Sequence, residues 1–490
     1  MEKIINYLST YNLTKVWFIF FLYSLGISVT VQFLILPILL PQFHMGHGLL
    51  DGGDWTFYHS RAVDLSNKIK EYGWHFWQLK PQGFGLIGFI SAIYSFTGIF
   101  EPYVLIPFFS LLHSLGAMCI VLLIEKLDFN RGVSFLSAIP FLIFPSSLLW
   151  VSQILKDVFT INGTLIILLS LTWILNISNG NGFLFTFKKL LGVYIAMLFG
   201  FVVIWIVRPY FVQISLVFVL LSFIAINVFL ILKIFLKKNL SFLIMLFVLM
   251  TQFLLIISIL NLPKLKSQHI ENIDKSSLLG QVPYPTFKAF NEKQNKSTKT
   301  AKFISDKEKK EEVADPNVME FKEWYPSTYL PTIIDNEFKK LYYQRSYFYT
   351  VQYSANSTFD IGIDLNSFEK LVKYLPRAIQ IGLFSPFPSM WFAEHPSQLS
   401  KLMHFVTGIE IFFIYICLVG FVISLYILKK KIEFWMLMCF SFYFILIPTY
   451  AIPNIGALVR YRYGAIMLLV AIGISAYLKL YFNKNKNNTK

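Results

Sequence analysis

The sequence predicts an all-α polytopic membrane protein: about ten transmembrane helices, outer interfacial helices and one large extracytoplasmic loop region. Three observations carry that class. The 490 residues are 56% hydrophobic and only 14% charged, with a mean hydropathy of +0.59, where a soluble domain carries about 25% charged residues. Runs of roughly 20 apolar residues recur, the length that crosses a bilayer as helix. Lysines gather at the ends of alternate runs, as the positive-inside rule describes. Backbone groups in hydrocarbon must be satisfied internally, and the alternating ten-residue segments of a membrane barrel are not seen.

In chain order, residues 1–15 lead into a first apolar run at 16–40. It is too long for a cleaved signal and lacks a small-residue cleavage site, so it reads as a retained span. Further spans are expected at 102–124, 133–149, 158–178, 190–207, 211–232, 240–262, 398–428, 432–451 and 463–482. With the N-terminus inside, the cytoplasmic segments carry sixteen bases, among them Lys188, Lys189 and Lys429 to Lys431, against four acids. The short outer segments carry ten bases and eight acids. Two apolar stretches are too short to cross: 83–98, which as a span would reverse every later loop, and 383–392, which contains Pro386 and Pro388. Both are assigned as interfacial or re-entrant segments on the outer side.

The expected organisation is therefore an N-terminal transmembrane module at 1–262 with a first outer loop at 41–101, an extracytoplasmic loop or small domain at 263–376, and a C-terminal transmembrane module at 377–490. The middle segment balances seventeen bases with fifteen acids. Its stretch 291–315 is Lys/Glu-rich and reads as mobile surface, whereas 324–374 is rich in Tyr and Phe. The net charge of +16 is spread over span ends rather than gathered in a basic domain, which argues against nucleic acid as a partner. Cys119, Cys417 and Cys439 lie in apolar runs without metal-like spacing and read as packing residues. No transporter-like repeat is visible.

Charges next to apolar spans are costly and therefore informative, and the outer face collects them. The first outer loop carries Asp51, Asp54, Tyr58 and His59. Asp157 follows Gln153-Ile-Leu-Lys at the outer start of the fourth span. Arg208 closes the fifth span, and Arg460-Tyr-Arg462 is read as a short outer loop before the last span. Lys80 is an outer anchor or a donor contact. His44-Met-Gly-His47 has metal-like spacing if helical, but Gly46 weakens such a helix. Each residue also has a plain structural reading: Asp54 and Asp157 as helix-start acids, and the arginines as snorkelling anchors. Glu410 is given no role.

The chemistry such a set can perform is sugar transfer. A carboxylate takes the proton of an acceptor hydroxyl, and cations hold a phosphate leaving group as its negative charge develops. Arginine does this through a planar fork that matches phosphate oxygens. Helices supply a groove for a polyprenyl chain, and aromatic rings, 18% of the chain, supply platforms for sugar faces.

The order of these features resembles the GT-C superfamily of membrane glycosyltransferases, which includes the protein O-mannosyltransferases, the aminoarabinose transferases and the oligosaccharyltransferase catalytic subunits. The resemblance covers the first 180 residues and extends loosely beyond. Gly53-Asp54-Trp-Thr-Phe-Tyr58-His59 looks like the family's first-loop signature, Lys80-Pro-Gln-Gly and the apolar stretch after it like its Pro-containing segment, and Ile154-Leu-Lys-Asp157 like the place of its second acid. Arg460-Tyr-Arg462-Tyr is similar to an arginine element of polysaccharide-type members. The resemblance implies an inverting hexosyltransferase in the cell membrane with its active site extracytoplasmic. Its donor is a polyprenyl-phosphate sugar, its acceptor a glycan or lipid-linked molecule, and membrane lipid is its surrounding. Asp54 is then the general base, with Asp157 and Asp51 as further catalytic candidates and Tyr58, His59, Lys80, Arg208, Arg460 and Arg462 as substrate contacts. Asp51 and Asp54 are separated by two residues rather than one, so the metal-binding Asp-x-Asp pattern is absent. No metal ligand or cofactor is assigned, and a divalent metal is left open.

Two other functions fit a multi-span chain. A polysaccharide polymerase or ligase of the O-antigen type would lack the early acidic loop and concentrate its chemistry in the large loop, where Arg345 and Arg377 are the only arginines nearby. A lipid-linked sugar flippase or transporter would place polar residues at mid-membrane on broken helices.

Overall fold

A computed structural model describes residues 2–177, 183–235, 242–262, 322–351, 357–392 and 398–488. The charged stretch 291–315 lies outside the described residues. Residues 1–264 and 324–490 form one compact unit, and 265–323, nearly all outside the described residues, form another. The expected boundary at 376 is thus not where the described chain divides.

The helices are α1 (Glu2–Ser9), α2 (Leu13–Thr30, prolonged by a π-type stretch Val31–Leu39), α3 (Asp54–Tyr72), α4 (Gly85–Thr97), α5 (Ile106–Glu125), α6 (Arg131–Ile143), α7 (Pro145–Ser152), α8 (Asp157–Leu175), α9 (Phe183–Val207) and α10 (Pro209–Phe235). They continue as α11 (Phe242–Leu260), α12 (Thr332–Val351), α13 (Phe368–Phe384), α14 (Pro388–Trp391), α15 (Gln398–Leu428), α16 (Ile432–Ala451) and α17 (Ile455–Asn488). The one sheet among the described residues is an antiparallel pair, His44–Gly46 with Leu49–Leu50. The chain is an all-α multi-pass membrane protein. Eight described helices are long and apolar enough to span, or nine if the bent pair α6–α7 is one span, and the apolar part of α11 is shorter.

Position in the bundle follows from apolar coverage. In α8 the most apolar window is 89% buried, so this helix is central; in α10 the figure is 33% and in Leu13–Leu39 it is 28%, so these present broad faces to lipid. Lipid association lacks a hydrophobic drive between helices, so small residues set how close they come. A Cβ on Gly163 of α8 would lie 2.7 Å from the Gly200 carbonyl oxygen of α9, and one on Gly200 2.8 Å from the Gly163 carbonyl oxygen. Both glycines are needed for that backbone contact.

Two expectations are corrected. The span expected at 133–149 is broken: α6 and α7 meet at 67°. Pro145 holds Phe144 extended, at φ −64° and ψ 140°, because a residue before proline disfavours the helical region. The last span does not start at 463. Asn454 caps a helix from Ile455, accepting from the Ala457 N–H at 3.0 Å, so Arg460 and Arg462 sit inside α17 and not in a loop. The segment 383–392, expected as interfacial or re-entrant, is the end of α13 followed by the four-residue α14.

The stretch 83–98 forms α4, 13 residues and so only about 20 Å long, packed against α3 through Tyr58, Ala62, Leu86, Ile90 and Tyr94. The aromatic-rich stretch from Trp324 packs onto the ends of spans: Trp324, Tyr342, Leu371 and Tyr374 share a cluster with Ile455 and Leu458 at the start of α17. Burying that stretch against α17 is what makes it part of the main unit.

Candidate functional site

The first loop is delivered to the start of α8 by a clamp. Gln153, buried between α7 and α8, accepts the Leu50 N–H on its Oε1 at 3.0 Å and donates from Nε2 to the Gly48 carbonyl at 3.2 Å. Gln32 donates to the Ser152 carbonyl at 2.6 Å and ties the same point to the end of the first span. The chain then turns through Gly52 and Gly53, both at positive φ (68° and 97°), a conformation other residues rarely adopt. A Cβ on Gly53 would also strike the Trp55 ring at 2.7 Å. The Trp55 indole donates to the Leu50 carbonyl at 2.6 Å and closes the turn. Asp54 emerges in the first turn of α3, as Asp157 does in the first turn of α8, where unpaired N–H groups and the helix dipole favour an anion.

Arg208 stands at the break between α9 and α10, where Pro209 opens the new helix. Its Nη2 donates to Asp157 Oδ1 at 2.9 Å and its Nη1 to Thr160 Oγ1 at 3.3 Å, and its guanidinium lies 4.3 Å from the centre of the Tyr461 ring. Arg460 comes from α17. Its Nη1 lies 3.4 Å from Asp54 Oδ2 and 3.9 Å from Asp157 Oδ2. A continuous chain of charges, Asp54–Arg460–Asp157–Arg208, thus joins the first loop, the last span, the start of α8 and the break between α9 and α10. Exposure falls steeply along it. The Asp54 side chain is 58% exposed, Arg460 29%, Arg208 7% and Asp157 1%. Asp157 Oδ2 has no hydrogen-bond partner among the described residues, an orphan of the kind that calls for an explanation in a buried carboxylate. Thr160, Thr164, Phe211 and Phe444 line a narrow cavity beside the two guanidinium groups, toward the interior of the spans.

Lys156 completes the cluster, although only its neighbour Asp157 stands out in the sequence. Its ammonium sits 5.0 Å from the Tyr58 ring centre and 5.3 Å from that of Phe84. Burial pushes its pKa down to about 8, with Arg208 acting the same way and Asp54 and Asp157 opposing. Tyr58 is buried and takes part through this ring contact. Gln153, too, has its role only through the fold: a polar residue between apolar neighbours is a legible signal, but its partners are 103 and 105 positions away.

The other candidates fall elsewhere. Arg462 turns away: it is buried and donates to the carbonyls of Ile381, Gly382 and Ser385, at 2.8 Å for the first, holding the end of α13. Two residues apart on a helix is a rotation of about 200°, so Arg460 and Arg462 face opposite ways. Lys80 is occupied by Trp205, donating to its carbonyl at 2.7 Å and lying 3.1 Å from its ring centre; burial there lowers its pKa to about 7. His59 pairs its Nδ1 with the Tyr94 hydroxyl at 3.0 Å, and burial followed by the nearby His47 lowers its pKa. The Asp51 carboxylate is exposed and makes no ion pair among the described residues, while its N–H donates to the Phe43 carbonyl at 2.7 Å.

His44 and His47 lie in the hairpin and not on a helix. His44 accepts the Gly48 N–H and His47 pairs with Glu101 at 2.8 Å. Among the described residues no group of three or more His, Cys, Asp or Glu is arranged to hold a metal ion. Glu410, unassigned from sequence, accepts the Ser146 N–H at 2.9 Å and so caps α7 where the bent pair leaves that N–H without a helical partner.

No protein-family model, no curated protein and no solved structure matches this chain.

Proposed function

We propose that the chain is a glycosyltransferase that moves a sugar from a polyprenyl-phosphate donor to an acceptor hydroxyl, on the extracytoplasmic side of the cell membrane. The observation that carries the reading is the graded charge chain: an accessible carboxylate, Asp54, bridged by Arg460 to a buried Asp157–Arg208 pair. An accessible carboxylate can reach an acceptor from solvent. Two arginines held at the membrane edge by one buried carboxylate are pre-oriented for a phosphate whose lipid tail lies among the helices.

In this mechanism the donor phosphate competes with Asp54 for Arg460, and the released carboxylate accepts the hydrogen of the acceptor hydroxyl. The acceptor oxygen then bonds to the anomeric carbon, its proton passes to Asp54, and the bond from that carbon to the phosphate oxygen breaks. Polyprenyl phosphate leaves. Asp157 acts through the arginines as a positioning residue. The concentration of charge at one end of the spans favours this reading over a flippase, and its origin in the first loop favours it over a polymerase with chemistry in the large loop.

The direct test is to incubate the purified chain with polyprenyl-monophosphate-linked sugars and a lipid extract as acceptor, and to follow release of polyprenyl phosphate. Release that depends on the acceptor is expected. None across a panel of hexose and aminosugar donors would sink the proposal.

Orientation has its own test. With the native cysteines replaced by serine, a cysteine at Asp51 is expected to react with a membrane-impermeant maleimide on intact cells. One at Lys430, in the turn between α15 and α16, is expected to react only after permeabilisation. The reverse pattern would place the charge cluster on the cytoplasmic face.

A further inference from the structure

We propose that Lys156 is the cation that receives the charge developing on the donor's phosphate as the sugar departs, and that it binds the phosphomonoester product; the inference rests on the glycosyltransferase reading above. The cluster holds three cations and two carboxylates. Arg208 and Arg460 are each within 4.0 Å of a carboxylate, so their charges are largely answered at rest. The Lys156 ammonium makes no ion pair or hydrogen bond among the described residues, and it lies over the Tyr58 and Phe84 rings. Among the described residues it is the cation of the cluster without an ion pair.

The reaction creates a need for that charge. A polyprenyl-phosphate sugar is a phosphodiester with one negative charge. When the bond between anomeric carbon and phosphate oxygen breaks, its electron pair stays on the oxygen and the acceptor's proton goes to Asp54. The phosphate becomes a monoester, which carries about −1.5 to −2 at neutral pH because its second pKa is about 6. A cation that is unpaired in the resting site interacts more strongly with the product-like phosphate than with the donor, and such differential binding lowers the barrier.

The ring cradle supports the assignment, because aromatic faces attract an ammonium without filling its three donor positions. The charged groups around Lys156 are Asp54 from α3, Asp157 from α8, Arg208 from between α9 and α10, and Arg460 from α17. With a pKa brought down to about 8, the lysine is charged below that pH and neutral above it. Affinity for a phosphate dianion is therefore greatest between about pH 6 and 8, from the two pKa values, and is lost as pH rises through 8.

The test uses the purified full chain in neutral detergent and measures binding of farnesyl phosphate from pH 6.5 to 9.5, with farnesol, inorganic phosphate and phosphatidic acid as comparison ligands. In the native protein, affinity is expected to fall about tenfold per pH unit above 8, as the loss of one bound proton requires. Lys156→Arg keeps its charge throughout and is expected to bind with a flat profile over that range. Lys156→Met is expected to bind at least about tenfold more weakly at pH 7 and to lose the alkaline limb, the effect of one removed charge-assisted contact. Native-like affinity and pH profile in Lys156→Met, with tight binding by the native chain, would overturn the role of Lys156 and leave the glycosyltransferase reading intact. Phosphatidic acid competing as well as farnesyl phosphate would make Lys156 a general headgroup anchor and overturn it too. If the native chain binds farnesyl phosphate no better than farnesol, both readings fall. Lys156→Arg guards against a folding defect in the methionine variant.

Discussion

Asp54→Asn is expected to lower the turnover of sugar transfer by about 10²–10⁴-fold, the range that removal of a general base commands, with the KM for the donor no higher, since the donor phosphate no longer competes with a charged Asp54 for Arg460. The substitution is nearly isosteric, and 58% of the Asp54 side chain is exposed, so nothing in the core depends on its charge. The ion pair it gives up, with Arg460 at 3.4 Å, is of the solvent-accessible kind worth about 0–1 kcal/mol. Thermal unfolding of the purified variant should therefore match the native chain within about 1 kcal/mol. A base acts in the transition state and not in donor binding, so the loss belongs in kcat. Asp51→Asn is the internal control: its carboxylate lies outside the charge chain and the variant should turn over normally. Native turnover by Asp54→Asn, or a loss shared equally by Asp51→Asn, would remove Asp54 from the chemistry.

Arg208→Met is expected to be the most destabilising single change at the site, by about 3–5 kcal/mol, because it strands a buried carboxylate. Asp157 is 1% exposed and already has one oxygen without a hydrogen-bond partner; without Arg208 it keeps only Arg460 at 3.9 Å. Asp157→Leu strands Arg208 in the same way. The double variant removes both charges and, as for other buried pairs replaced by apolar residues, should unfold closer to the native temperature than either single variant while remaining inactive. Arg460→Met, at a partly exposed position, should cost clearly less stability and yet lower transfer. Denaturation of each protein in the same detergent gives the comparison. An Arg208→Met variant as stable as the native chain would mean that the pair is not what holds α8 to the α9–α10 break.

The contrast between these variants follows the exposure gradient, which also divides labour within the site. In the proposed reaction the buried pair sets geometry and the exposed carboxylate meets the acceptor. Arg460 belongs to both halves, since it touches each carboxylate.

What the sequence determined by itself is the membrane class, most of the spans and the end of the bundle where the charges gather. Hydropathy is a sum over neighbours along the chain, and a run such as 398–428 exceeds the cost of exposing its backbone to lipid whatever it packs against. The acids of Gly53-Asp54 and Lys156-Asp157 were legible as site candidates for a similar reason: a charge beside an apolar run has few cheap explanations. The cap that starts α17 was present as well, in Pro453-Asn454, but two arginines lowered the local hydropathy and made a helix turn look like a loop.

Only the tertiary structure decided which cations serve the site. Arg460 and Arg462 are equivalent in a sequence window and opposed on a helix, because two residues rotate a side chain by about 200°. One meets the carboxylates of α3 and α8, and the other holds the end of α13. Lys80 was absorbed by Trp205, a contact across 125 positions. The Lys156 ammonium lies over the Tyr58 and Phe84 rings, while both nearby arginines pair with carboxylates. The Gln153 clamp that carries the first loop to α8 depends on partners about a hundred positions away. Pairing in a buried polar cluster is a competition among all the groups that reach it, and which groups reach it is set by helix phase and packing, neither of which is written in any local stretch of the chain.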